Sequence, residues 1–134
     1  MILISVVSLA QEAEQKKIGE FNELKVYDLI NVELIKSEDN KVVITGDNSK
    51  DVVLVNKNGK LKIKMNIDES YDGSRTKVKL YYSTIDIIDV NEGASVKADE
   101  VIKQFEIELS AQEGGVINVP VDVTYIKAKA VTGG

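Results

Sequence analysis

Five lysines, Lys60, Lys62, Lys64, Lys77 and Lys79, make the most regular polar constellation in the chain. They alternate with aliphatic residues in Lys60-Leu61-Lys62-Ile63-Lys64 and Lys77-Val78-Lys79-Leu80, so a strand through each segment turns its lysines to one face. If the two strands pair, the face is basic and suits an anionic glycan or a lipid headgroup. Outward lysines also keep a sheet edge from aggregating, which is their plainer role. A second constellation is acidic: Asp86, Asp89 and Glu92 follow one strand and its turn, and Glu106 and Glu108 lie on another. A 20-residue register would stack Asp86 near Glu106, about one strand spacing away. Paired carboxylates are the acid and base of glycoside cleavage, yet such sites also need groups that hold the sugar. Arg75 is the one arginine and aromatics make up 5% of the chain, so the acids read first as a solubilising outer surface. Tyr71, Tyr81, Tyr82 and Tyr125 offer rings for sugar stacking, but near strand ends they fit partly buried packing groups. Asp68-Glu69-Ser70-Tyr71-Asp72-Gly73 copies the first half of a calcium loop. Its twelfth position, where a bidentate glutamate belongs, is Lys79, so the segment reads as a solvated turn and no metal site is expected.

Composition narrows the chemistry further. The 134 residues suit a single domain, with 43% apolar and 29% charged residues typical of a globular protein. Histidine and cysteine are both absent, which excludes thiol nucleophiles, disulfides, Ser-His-Asp triads and Cys/His zinc sites. The net charge is −5, with one arginine among 17 basic residues, and this argues against nucleic acid as a partner. No cofactor is implied and no catalytic residue is assigned.

The elements that must position these residues read as β throughout. Val26 to Ile35 alternates with Ile30, Val32 and Leu34 on one face. Val52 to Val55 leads into Asn56-Lys57-Asn58-Gly59, a hairpin signal because Asn-Gly accepts positive φ at both turn positions. No segment carries the 3.6-residue apolar spacing of a packed helix. Upstream, Ile2 to Ala10 is an unbroken apolar and small run, too short to span a bilayer but matched to the core of a secretory signal. Residues 1–11 are therefore expected to be signal-peptide-like, although no lysine or arginine precedes the run. A buried first strand is the alternative reading. Residues 12–20 are expected to form a polar linker with at most a frayed helical turn, and 21–134 a single domain.

The second half repeats. Segments starting at Ile85, Phe105 and Ile126 recur at intervals of about 20 residues and lead into Gly93-Ala94, Gly114-Gly115 and Gly133-Gly134. Apolar strands follow the first two turns, over Val96 to Val101 and Val116 to Val123. Strand, tight turn and strand at a constant period predict an all-β, right-handed parallel β-helix or solenoid with ~20-residue coils. Some antiparallel strands are expected in the N-terminal part, and a β-sandwich is the alternative.

Phe21-Asn22-Glu23-Leu24-Lys25-Val26, Gly59-Lys60-Leu61-Lys62-Ile63, Tyr82-Ser83-Thr84-Ile85 and the closing Val131-Thr132-Gly133-Gly134 together resemble the auto-transporter adhesin head-domain family, called head GIN. The resemblance covers about Phe21 to Gly134. It implies a right-handed β-helix, export to the periplasm, outer-membrane surface or medium, and a cell-surface role, with no catalytic or binding residue to carry over. Family members run on for further coils, so this chain is expected to be incomplete at its C-terminal end and to self-associate through an open coil. The functional expectation is a non-enzymatic adhesion or envelope-scaffold module whose partner is a surface glycan or protein, with peripheral or no membrane contact. A degenerate carbohydrate-active enzyme using the outward carboxylates is the alternative.

Overall fold

Apolar residues at every second position bury one face of each strand, and the chain satisfies this twice over, in two sheets that share a core. The computed structural model describes residues 13–66 and 73–134. The signal-like segment 1–11 and most of the calcium-like loop, at 68–72, lie outside the described residues. Among those described, the strands are β1 (Glu14–Lys17), β2 (Glu23–Val26), β3 (Asn31–Lys36), β4 (Lys41–Gly46), β5 (Val52–Lys57), β6 (Lys60–Met65), β7 (Thr76–Tyr82), β8 (Ile87–Val90), β9 (Ser95–Ala98), β10 (Ile102–Gln112), β11 (Val116–Asn118) and β12 (Val121–Val131). One sheet runs β1-β4-β7-β3-β9-β11, and the other β12-β10-β8-β2-β6-β5.

This arrangement overturns the expected right-handed parallel β-helix. Both six-stranded sheets are mixed: β1–β4, β4–β7 and β5–β6 pair antiparallel, and the remaining pairs are parallel. The sheets enclose one core in a sandwich-like fold, with no closed solenoid. The repeated segments do lie side by side, since β8, β10 and β12 are consecutive parallel neighbours. Their offsets alternate around the expected 20 residues, because Ile87 faces Glu108 while Ile107 faces Ile126. The apolar runs 96–101 and 116–123 are shorter as strands than the pattern predicts: β9 ends at Ala98, and β11 and β12 divide the second run.

Two further corrections concern local structure. Val26 to Ile35 is not one strand, because Asp28 and Leu29 adopt φ of 59° and 64° and turn the chain from β2 into β3. Residues 14–17, expected in a linker, form β1 and pair with β4. The Asn58-Gly59 hairpin is as read, with φ of 53° and 79° joining β5 to β6.

Inward rows cross the sheets in register. Leu61, Leu24, Ile88 and Leu109 occupy one row, and the first three are fully buried. Each such side chain contributes about 1.5–3 kcal/mol on burial. Val32, Val78 and Val96 face them from the other sheet within the same core. Gly115 permits the rungs to approach closely: a Cβ there would overlap the Val90 carbonyl oxygen and sit 2.8 Å from its carbon. Ile88→Ala is expected to cost about 2–5 kcal/mol. Gly115→Ala should cost about 1–3 kcal/mol, and exposed Lys129→Ala less than about 0.5 kcal/mol, in urea unfolding followed by circular dichroism.

Candidate functional site

Alternation sends the polar residues of each strand outward, so the chemistry lies on the two outer sheet faces. Lys77 and Lys79 stand on β7, directly beside Asn31 and Glu33 of β3. Next along the same rows are Ser95 and Lys97 of β9. Together with Thr45 of β4 they line a shallow groove of about 440 Å³. Its floor is ordered by polar contacts: the Ser95 hydroxyl donates to the Asn31 amide oxygen at 2.8 Å, and the Asn31 amide nitrogen donates to the Ser74 carbonyl at 3.1 Å. Lys77, Lys79 and Lys97 are exposed, and no ion pair involves any of them among the described residues.

The other three expected lysines are elsewhere. Lys60, Lys62 and Lys64 lie on β6, whose neighbours are β2 and β5, so β6 and β7 do not pair and the five lysines do not form one face. Here Lys62 lies beside Lys25, while three lysines meet carboxylates. Lys60 meets Glu23 at 3.6 Å, Lys25 meets Asp89 at 3.6 Å, and Lys127 meets Glu108 at 3.1 Å. Lys97 was not singled out in the sequence. It aligns with Lys79 only through Glu33, in a strand distant in the chain.

The carboxylates separate likewise. Asp89 and Glu108 are held by lysines, and Asp86 accepts a hydrogen bond from the Asn22 amide at 3.2 Å. Asp86 is not stacked on Glu106, because its carbonyl accepts from the Glu108 N–H at 2.9 Å. Both nevertheless line an open groove of about 450 Å³ with Glu108, Tyr125 and Lys127. Arg75 is remote from that groove and pairs with Asp47 at 3.5 Å. Among the described residues no cluster of three or more acidic side chains is arranged to hold a metal ion. The tyrosines divide too. Tyr82 is buried beneath Lys36, and Lys41 lies 4.7 Å above the ring of Tyr81. Tyr125 is 61% exposed, edge-on to Phe105 with ring centres 5.2 Å apart, so it is no buried packing group.

Glu92 stands apart. It occupies a left-handed turn position (φ 51°) between β8 and β9, next to the equivalent turns at Asp28 and Glu113. The turns are tied together: Leu29 N–H donates to the Glu92 carbonyl at 3.0 Å, and Gly93 N–H to the Glu113 carbonyl at 2.9 Å. Asp28 also accepts the Met65 N–H at 2.9 Å. A hydrogen bond to the Asp28 carboxyl, partial burial, and the negative charges of Asp28 and Glu113 push the Glu92 carboxyl up to about 7. The hydroxyl of neighbouring Tyr27 is raised by burial and then by Asp89 and Glu92. Reading Val26 to Ile35 as one strand hid Asp28. Its usable signal was a residue tolerant of positive φ inside an apolar run.

A family model described as "putative auto-transporter adhesin, head GIN domain" matches residues 20–134. The chain belongs to this family. Solved structures with the same fold include an adhesin, named as putative, from Bacteroides fragilis, with a TM-score of 0.77 and 15% identity over 93% of this chain and 60% of its own. Another so named, from Parabacteroides merdae, has a TM-score of 0.75 and 16% identity over 92% of this chain and 53% of its own. A third, titled a putative lipid binding protein from Parabacteroides distasonis, has a TM-score of 0.64 and 15% identity over 92% and 63%. The head GIN chain described here thus spans less than two thirds of each of these structures. No curated protein matches the sequence.

The raised Glu92 group links this turn column to pH. The folded head GIN chain retains a proton that the unfolded chain releases between about 4.5 and 7. Its stabilising contribution is therefore complete below about 4.5 and is lost as pH rises through about 7. Melting temperature should fall with pH across that window, and Glu92→Gln should flatten the slope in thermal scans at fixed ionic strength.

Proposed function

We propose that this head GIN chain is a non-enzymatic binding module of an exported or surface-located adhesin, and that it takes an anionic glycan on the outer face of the sheet containing β7, β3 and β9. The observation that carries this reading is the contrast between the two outer faces. On one, Lys60, Lys25 and Lys127 each meet a carboxylate across the rungs, and Lys62 stands beside the paired Lys25. On the other, Lys77, Lys79 and Lys97 share only the single acid Glu33 in their rows. They surround a groove whose remaining polar lining is hydroxyl and amide. Unpaired ammonium groups on an acidic protein attract a polyanion, and the hydroxyls and amides bond to sugar oxygens.

The family description supports adhesion, and the fold neighbours carry adhesin names. One neighbour is named for lipid binding, and an anionic headgroup would use the same lysines. The polar lining of the groove, with its ammonium, hydroxyl and amide groups, favours a sugar polymer over an acyl chain. A catalytic reading of Asp86 and Glu106 is weaker, since their groove contains no arginine.

The test is binding to a polyuronate, a neutral glucan and anionic lipid vesicles, each at two salt concentrations. The polyuronate should bind, and binding should weaken as salt rises. A Lys77→Gln/Lys79→Gln/Lys97→Gln variant should lose about tenfold in affinity. Lys60→Gln/Lys62→Gln/Lys64→Gln should change it less than about twofold. Equal losses in the two variants, or binding to vesicles alone, would defeat the assignment.

A further inference from the structure

The lysine groove is longer across the strands than along them. Its lining comes from β4, β7, β3 and β9 in turn. Three strand spacings make about 14 Å, whereas successive outward residues on one strand lie about 7 Å apart. Charge changes from strand to strand along this axis. β7 presents two cations, Lys77 and Lys79, and β3 sets Asn31 and the acid Glu33 directly beside them. β9 follows with Ser95 and the cation Lys97. On the far side of β7, β4 places Thr45 beside Lys77 and half-buried Val43 beside Lys79, so it is uncharged at this level.

We propose that the groove selects a polysaccharide in which a uronate alternates with an uncharged sugar, and that Glu33 makes the selection; this rests on the glycan reading above. A β-linked pyranose advances its chain by about one strand spacing, about 4.8 Å, so a polymer laid across the sheet sets one sugar over each strand. Uronates over β7 and β9 meet Lys77 and Lys79 on one side and Lys97 on the other. They are then about 9.6 Å apart, two strand spacings. The sugar between them lies over β3. A carboxylate there faces the carboxylate of Glu33, like against like. A hydroxyl or amide N–H there donates to it instead. The next uncharged sugar falls over β4, against the Thr45 hydroxyl and Val43, which completes two repeats.

A lysine surface acting by charge alone ranks polyanions by charge density, so a polymer charged at every sugar would bind best. Glu33 inverts that order because of where it stands. It is half-buried on β3, in register between Lys79 and Lys97, and a ligand that reaches both lysines passes over it. No ion pair joins it to either lysine among the described residues. β7, β3 and β9 are all interior strands of their sheet, so the pattern is independent of both sheet edges.

The test compares two β-linked polymers of matched length by titration calorimetry at one salt concentration. Hyaluronan alternates glucuronate with N-acetylglucosamine, and polymannuronate is charged at every sugar. Hyaluronan should bind at least about fivefold tighter, although it carries fewer charges. Glu33→Gln should narrow that preference to less than about twofold, and Glu33→Lys should reverse it. Equal affinities in the unmodified chain, a preference for polymannuronate, or a preference that survives both Glu33 variants would overturn the proposal. Those outcomes leave the glycan reading standing, provided that Lys77→Gln/Lys79→Gln/Lys97→Gln weakens whichever polymer binds. Binding of neither polymer would defeat both.

Discussion

Left-handed turns at Asp28-Leu29, Glu92-Gly93 and Glu113-Gly114 carry the chain from one sheet to the other, and the rest of the fold depends on their stacking. Each leaves a strand of the β8-type sheet and enters a strand of the opposite one: β2 to β3, β8 to β9, β10 to β11. Because the turns are tied to one another by backbone hydrogen bonds, every rung begins at the same height. The inward rows then coincide, and Leu24, Ile88 and Leu61 lie side by side, fully buried. A turn of one more residue would reverse inside and outside on the strand that follows. Carboxylates at Asp28, Glu92 and Glu113 share this column, so the feature that sets the register also concentrates negative charge.

Much of the pattern was legible residue by residue. The alternation in Lys60–Met65 and Thr76–Tyr82, the Asn58-Gly59 hairpin and the parallel stacking of β8, β10 and β12 all follow from period-two spacing and glycine placement. The global architecture did not follow, because β2 and β3 sit in the middle of their sheets. Their neighbours are β8 and β9 on one side and β6 and β7 on the other. A 20-residue period seen in one half of the sequence cannot reveal that an earlier rung has been placed next to it. The same limit governed the candidate site. Lys77 and Lys79 were visible as outward residues, whereas Lys97 joins them only through β3, and Lys60, Lys62 and Lys64 leave for the other sheet.

The two outer faces show how one composition yields two kinds of surface. On the β6–β2–β8–β10 face three lysines meet carboxylates across the rungs, although Lys62 lies beside Lys25. On the β7–β3–β9 face a single glutamate stands among three lysines. A net charge of −5 therefore conceals a region of opposite sign.

The central position of β2 and β3 bears on biogenesis. Asn31 and Ser95, bonded side chain to side chain, are separated by 64 residues. The first rung to leave the ribosome cannot be completed until strands on both flanks have been made, and closing such loops is slow. Until then β2 and β3 lack the neighbours that pair their edges in the finished sheets.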